Sequence, residues 1–147
     1  MKKNVLIVCS ILLIIIIVCV TFISMNSKKL AVVKQENKEY EQYQKQEIYG
    51  TEVITLINKA IDHNQKNNVQ TDETGKYIDN KTNSIIIDVM MITNEEKNQT
   101  TTYRMETINK VGIGEFIANF NTAKFKITNI QYHKQTGKIK YIEITQQ

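Results

Sequence analysis

The sequence predicts an α+β protein held at a membrane: an N-terminal transmembrane helix continuing into a stalk, then an antiparallel sheet of about four strands packed on an amphipathic helix. Three observations carry this. Val5 to Ile23 is apolar throughout except for Ser10 and Thr21 and holds no charge. Val53 to Ile61 places apolar residues at helical spacing. From Ser84 onward the apolar period shortens to that of strands, with turn residues between the runs. The boundaries that follow are an anchor over 1–26, a polar helical stalk over 27–48 and a small α+β domain over 49–147.

The first element is fixed by length. A helix over residues 5–23 spans about 28 Å, close to the roughly 30 Å hydrocarbon core of a bilayer. The lipid bilayer is thus the expected partner of residues 5–23. A cleaved signal peptide is the rival reading, but its apolar core usually covers only about 7–15 residues and leads to a small-x-small site. Thr21 to Asn26 offers no good pair of that kind, which favours an uncleaved signal anchor. Cys9 and Cys19 both lie inside the run. Ile17 and Val18 stand before Cys19 where a lipoprotein site needs a small residue, so the cysteines read as small apolar fillers. Lysines flank both ends, Lys2 and Lys3 against Lys28, Lys29 and Lys34. The positive-inside rule therefore separates the flanks poorly, and the short N-terminal tail favours a single-pass cell-membrane protein with an extracytoplasmic C-terminal domain.

Ser27 to Glu47 contains Lys, Gln and Glu without Gly or Pro, a composition that tolerates helix. Leu30, Val33, Tyr40 and Tyr43 fall near one face, with Asn37 interrupting the seam. Gly50 breaks the pattern and Thr51 is placed to cap a helix running to about Asp62, with Leu56, Ile57 and Ile61 expected in the core. Gly50 is a candidate for positive φ. Asp72 to Lys76 reads as a turn around Gly75, with room for a short strand at Lys76–Asp79. Ser84 to Ile92 puts Ile85, Ile87, Val89 and Met91 on one strand face, and Thr100 to Ile108 is Thr-rich and strand-like. Thr93 to Gln99 is the polar connection between them. A short helix follows Gly112, through Ile113, Phe116, Ile117 and Phe120. Lys124–Tyr132 and Lys138–Thr145 form a second hairpin across a turn containing Gly137.

The 147 residues include neither Pro nor Trp, and Arg104 is the sole arginine. Bidentate arginine recognition of carboxylate or phosphate is therefore disfavoured. With no cysteine beyond the apolar run, cysteine-zinc sites and disulfides are excluded from the rest of the chain. His63 and His133 fall in predicted loops without ligand spacing and read as solvated side chains. Asp72, Glu73 and Asp79 lack the alternation of a calcium loop. Gly112-x-Gly114 lacks the third glycine of a nucleotide fingerprint. Asn80-Lys81-Thr82 and Asn98-Gln99-Thr100 match the glycosylation triplet, a common coincidence. No catalytic, metal or cofactor site is expected, and the chain reads as a non-enzyme.

Charge supplies the one candidate binding feature. From Thr122 to Gln147 five lysines face Glu143 alone, so this segment accounts for the whole formal net charge of +4. Alternation pairs Lys124 with Lys126 on one strand face and Lys138 with Lys140 on the other strand's. One reading is a strip for an anionic cell-wall polymer, a lipid headgroup or, less favoured, nucleic acid. The other is the solvated face of a half-buried sheet, with edge lysines that discourage aggregation.

The stretch Tyr49 to Asp62 (YGTEVITLINKAID), with Tyr132 to Lys138 (YHKQTGK), resembles uncharacterised small single-span membrane proteins of clostridia and related Firmicutes. That resemblance implies an origin and a topology rather than an activity. A looser architectural resemblance is to type IV pilin-like proteins, which also run a membrane helix into a stalk and pack a sheet against helix. It implies an architecture only. The tether, the polar stalk and the missing catalytic constellation are what point to a contribution to an extracytoplasmic assembly with protein partners, associated with a pilus or secretion system. Pilins carry a Gly at the prepeptidase cleavage point and a Glu five residues into the apolar segment. Asn4 to Cys9 supplies neither.

Overall fold

A computed structural model describes residues 2–94 and 99–147, which fall into two compact units, Met1–Gln35 and Glu36–Gln147. The first unit is helix throughout its described residues. Helix α1 (Lys2–Glu41) is unbroken and contributes its last residues to the second unit. Its Ile11 to Ile17 side chains are 52–62% exposed. Among the described residues this is the one helix long and apolar enough to cross a membrane, with a mean hydropathy of 2.2 in its apolar window. Cys19 lies exposed on it. The burial of Cys9 lies outside the described side chains, as does the Glu95–Asn98 part of the connection expected over Thr93–Gln99, including Asn98 of the second glycosylation triplet.

The second unit is α+β. It contains strands β1 (Ile48–Tyr49), β2 (Ile86–Asn94), β3 (Gln99–Arg104), β4 (Lys124–Tyr132) and β5 (Ile139–Gln146), and helices α2 (Gly50–Lys66), α3 (Met105–Val111) and α4 (Ile113–Phe120). The five strands form one sheet in the order β1-β4-β5-β2-β3. Both expected hairpins are present as antiparallel pairs, β2–β3 and β4–β5. The expectation of about four antiparallel strands is corrected in two respects. A fifth strand, β1, pairs with β4 through two residues, too short to leave an alternation in the sequence. The hairpins join through β2 and β5, which run parallel from Ile86↔Tyr141 to Met90↔Thr145. Hydrophobicity accounts for that join. β2 and β5 are the most isoleucine-rich strands and occupy the middle of the sheet, whereas the Thr-rich β3 and the two-residue β1 take the edges.

One sheet face carries the core. Phe125 and Ile127 of β4, Ile142 and Ile144 of β5, and Ile87, Val89 and Met91 of β2 are buried with Val53, Ile54, Leu56, Ile57 and Ala60 of α2. Leu56 and Ile57 are fully buried, while Ile61 packs on the core only in part. The start of α2 differs from the sequence reading. Tyr49 is its N-cap and Thr51 lies exposed within it, and the Glu52 carboxylate accepts the Tyr49 N–H at 2.8 Å, which satisfies one donor at the helix start. Gly50 is required by closeness rather than by positive φ. A Cβ there would lie 2.1 Å from the Phe120 carbonyl oxygen.

The Thr-rich strand stops at Arg104, and Met105 begins α3, buried through Met105, Glu106 and Ile108. The three-residue spacing of Met105 and Ile108 is helical, but one such pair is too short a run to set a period. Gly112, at φ +117°, ends α3 and starts α4. No strand forms over Lys76–Asp79, where a single bridge joins Thr71 to Tyr77.

Candidate functional site

The richest polar grouping lies where the β4–β5 turn meets the loop before β2. Asn80 organises that loop. Its side-chain Oδ1 accepts the backbone N–H groups of Thr82, Asn83 and Ser84 at 2.9–3.1 Å. The residue of the first glycosylation triplet is therefore occupied within the fold. The arrangement leaves Lys81 in the left-handed region at φ +64°, a conformation that non-glycine residues adopt at some cost. The turn opposite closes through the His133 N–H to the Lys138 carbonyl at 2.8 Å, with Gly137 at φ +70°.

His133 joins the two segments and corrects the reading of it as a solvated loop residue. It is buried, 2% exposed, and its Nε2 lies 2.8 Å from the Ser84 carbonyl oxygen. A carbonyl only accepts, so Nε2 carries the proton. Nδ1 faces Asp79 Oδ1 at 3.7 Å, and the Ser84 hydroxyl donates to that same carboxylate oxygen at 3.3 Å. Serine, histidine and aspartate thus meet, but not as a nucleophilic relay. The imidazole holds the serine's carbonyl rather than its hydroxyl, and Ser84 is fully buried. The group is a brace between loop and turn. Burial pushes Asp79 up, but the Lys81 N–H, the Lys140 charge, the Ser84 hydroxyl and His133 together hold its carboxyl below the ordinary range. His63 also differs from its sequence reading. It is half-buried on α2, with Nε2 2.8 Å from the Asn83 carbonyl.

Beside this brace opens a cleft of about 410 Å³, lined among others by Asp79, Lys81, Tyr132, His133, Lys134 and Lys140. Lys140 lies 3.6 Å from Asp79. Among the described residues, Lys81 and Lys134 make no ion pair, and both are exposed.

The four lysines singled out by alternation do not form one cluster. Lys126 stands opposite Thr145, five positions along β5 from Lys140, a separation of about 17 Å at strand rise. Lys124 pairs with Glu47 at 2.8 Å, and Lys138 lies 2.8 Å from Glu36. These carboxylates belong to segments distant in sequence, so a count of charge within the hairpin does not include them. Two asparagines that periodicity treats as interruptions also carry structure. The side-chain amide of Asn37 donates to the Gly137 carbonyl at 2.8 Å and accepts the Ile139 N–H at 3.0 Å. Asn64 does the same for Ile85, at 2.7 and 2.8 Å. Each serves as a one-residue strand partner at the start of a central strand.

Where β3 passes into α3, Arg104 lies 3.2 Å from Glu106, 3.7 Å from Asp88 and 3.0 Å from the Tyr77 carbonyl. The Tyr141 hydroxyl donates to Asp88 at 3.1 Å. Burial raises the Asp88 carboxyl above its ordinary value, only partly offset by Tyr141 and Arg104. Burial, with the Asp88 charge and hydrogen bond, pushes Tyr141 up to about 12. The sole arginine is thereby engaged inside the fold. Compared with known proteins, the chain matches no family model, no curated protein and no solved structure.

Proposed function

We propose that this is a non-enzymatic, single-pass membrane protein whose C-terminal unit is displayed outside the cytoplasm as a component of a membrane assembly, of pilin-like or secretion-associated type. The observation that carries the proposal is the contrast along α1. Its apolar part is exposed all round, while its last residues are bonded into a sheet unit through Asn37 and through Glu41, which accepts the Tyr132 hydroxyl at 2.7 Å. Such a chain is built to hold a small folded body at a membrane. The self-satisfied Ser84–His133–Asp79 brace supports binding or assembly over chemistry. The absence of the pilin Gly and Glu from Asn4–Cys9 leaves prepeptidase processing out of the proposal.

A C-terminal alkaline phosphatase fusion tests the orientation, because the enzyme is active only outside the cytoplasm, and cross-linking in native membranes tests the assembly. An active fusion and a discrete cross-linked complex are expected. An inactive fusion, or a chain that remains monomeric and unlinked, overturns the proposal. Neighbouring genes for an assembly ATPase and a polytopic platform protein would support it, and consistently metabolic neighbours would argue against it. The alternative, an anionic-polymer module using Lys124, Lys126, Lys138 and Lys140, has less support, because three of the four lysines already face carboxylates.

A further inference from the structure

We propose that the cleft beside the β4–β5 turn binds a phosphate monoester group, held by Lys81, Lys134 and Lys140. This site goes beyond the assembly role and differs from the strip suggested by alternation, with which it shares only Lys140. Its volume of about 410 Å³ falls within the roughly 300–1,000 Å³ of small-molecule sites. Three lysines are among its lining residues, with Asp79 the one acidic residue there. Because Asp79 lies 3.6 Å from Lys140, that pair is balanced and the charges of Lys81 and Lys134 remain over. Two spare positive charges suit a phosphate monoester, which carries about −1.5 to −2 at neutral pH, better than a carboxylate.

The chemistry of the lining points the same way. Lysine meets phosphate as a point charge, whereas the planar fork that favours carboxylates belongs to arginine. The sole arginine, Arg104, is committed to Glu106 and the Tyr77 carbonyl. Gln131 and Gln135 line the same cleft and supply neutral amide donors for further phosphate oxygens. The floor is firm, because buried His133 fixes the turn to the Ser84 carbonyl and the Asn80 side chain holds the loop that carries Lys81. A firm floor lowers the ordering cost of binding.

The phosphate could come from a soluble ester or from a lipid headgroup, and one experiment separates the two. The full chain is placed in nanodiscs of phosphatidylcholine and titrated calorimetrically with inorganic phosphate. The titration is repeated in nanodiscs doped with phosphatidic acid, whose headgroup is a phosphate monoester. Saturable binding is expected in the first, weakening steeply with added salt. The double variant Lys81→Gln, Lys134→Gln should weaken it at least tenfold, and Lys134→Gln alone by a smaller factor. The control Lys124→Gln, Lys126→Gln should leave it unchanged. Loss of the inorganic phosphate signal in doped nanodiscs assigns the site to lipid, and its persistence assigns it to a soluble ester. No saturable binding in phosphatidylcholine nanodiscs, or an equal loss in the control variant, overturns the proposal. Lys81 and Lys134 are exposed and outside the core, so unchanged tyrosine circular dichroism should accompany the loss.

Discussion

Helices α1 and α2 draw on the same aliphatic residues and treat them in opposite ways. In α1, Ile11 to Ile17 are 52–62% exposed, whereas Val53, Ile54, Leu56, Ile57 and Ala60 of α2 are at most 4% exposed. The difference lies in how polar residues are distributed around each axis. Thr55, Asn58 and Asp62 give α2 a solvent face, which orients its apolar stripe toward the sheet. The Val5–Ile23 run has no such face, and a helix that is apolar all round requires an apolar surrounding rather than one packed side. The same aliphatic residues thus reach two destinations, according to whether they are confined to one side of the helix.

Substitutions can break this comparison, and the largest effect is expected in α1. Ile14→Lys combined with Ile15→Lys should cost about 5–7 kcal/mol of insertion, at about 2.5–3.5 kcal/mol per central lysine. The chain should then leave the membrane pellet on carbonate extraction. All seven tyrosines lie at residue 40 or beyond, so their near-ultraviolet circular dichroism reports on the second unit alone and should be unaltered. Retention in the pellet would mean that α1 is not held by lipid.

The converse substitution is Ile57→Ala. It should destabilise the second unit by about 2–5 kcal/mol, through lost burial and the cavity left behind, while membrane retention is unaffected. Thermal unfolding of the full chain in mild detergent, followed by the tyrosine signal, measures this. An unmoved midpoint would show that the stripe of α2 is not core.

Gly50→Ala sharpens the comparison at the start of α2. A methyl 2.1 Å from the Phe120 carbonyl must push α2 and α4 apart, at about 1–3 kcal/mol by the usual cost of overpacking. A neutral result in the same melt would show that α4 gives way freely.

The smallest effect concerns the polar face of the sheet. Burial raises the Asp88 carboxyl above 3.8, so the folded protein holds this proton more tightly than the unfolded chain. The group therefore favours folding in acid, and that contribution is lost as pH rises through its folded value. Asp88→Asn removes the titration. Its stability relative to the parent should rise as pH increases across the carboxylate range. A difference independent of pH would place the ionised group in a better-compensated site.

The elements were more legible in the sequence than their partners. Ile85, Ile87, Val89 and Met91 share a buried face because alternation is a property of one strand. The parallel join of β2 to β5 depends on residues more than fifty positions apart, which no local period records. The candidate lysines divide in the same way. Four lysines were visible as charge, but Lys81 and Lys134 join Lys140 only when the loop before β2 meets the β4–β5 turn. The one hint in the sequence was the Asp79–Ser84 run of turn-forming residues. Asn37 and Asn64 were hidden because a buried amide looks like any other polar interruption until its strand partner is known.

The sequence by itself determined the long apolar helix, the one-sided helix, the strand runs of both hairpins and the helix after Gly112, because each follows from residues within a few turns or one strand of each other. Only the tertiary structure decided the mixed order of the sheet, the close approach that demands glycine at position 50, and the burial of His133. It also decided which lysines are matched by carboxylates and which line a common cleft. These depend on distances between segments far apart in the chain. Such distances arise when the apolar faces pack, and the polar groups then find their partners among whatever that packing brings near.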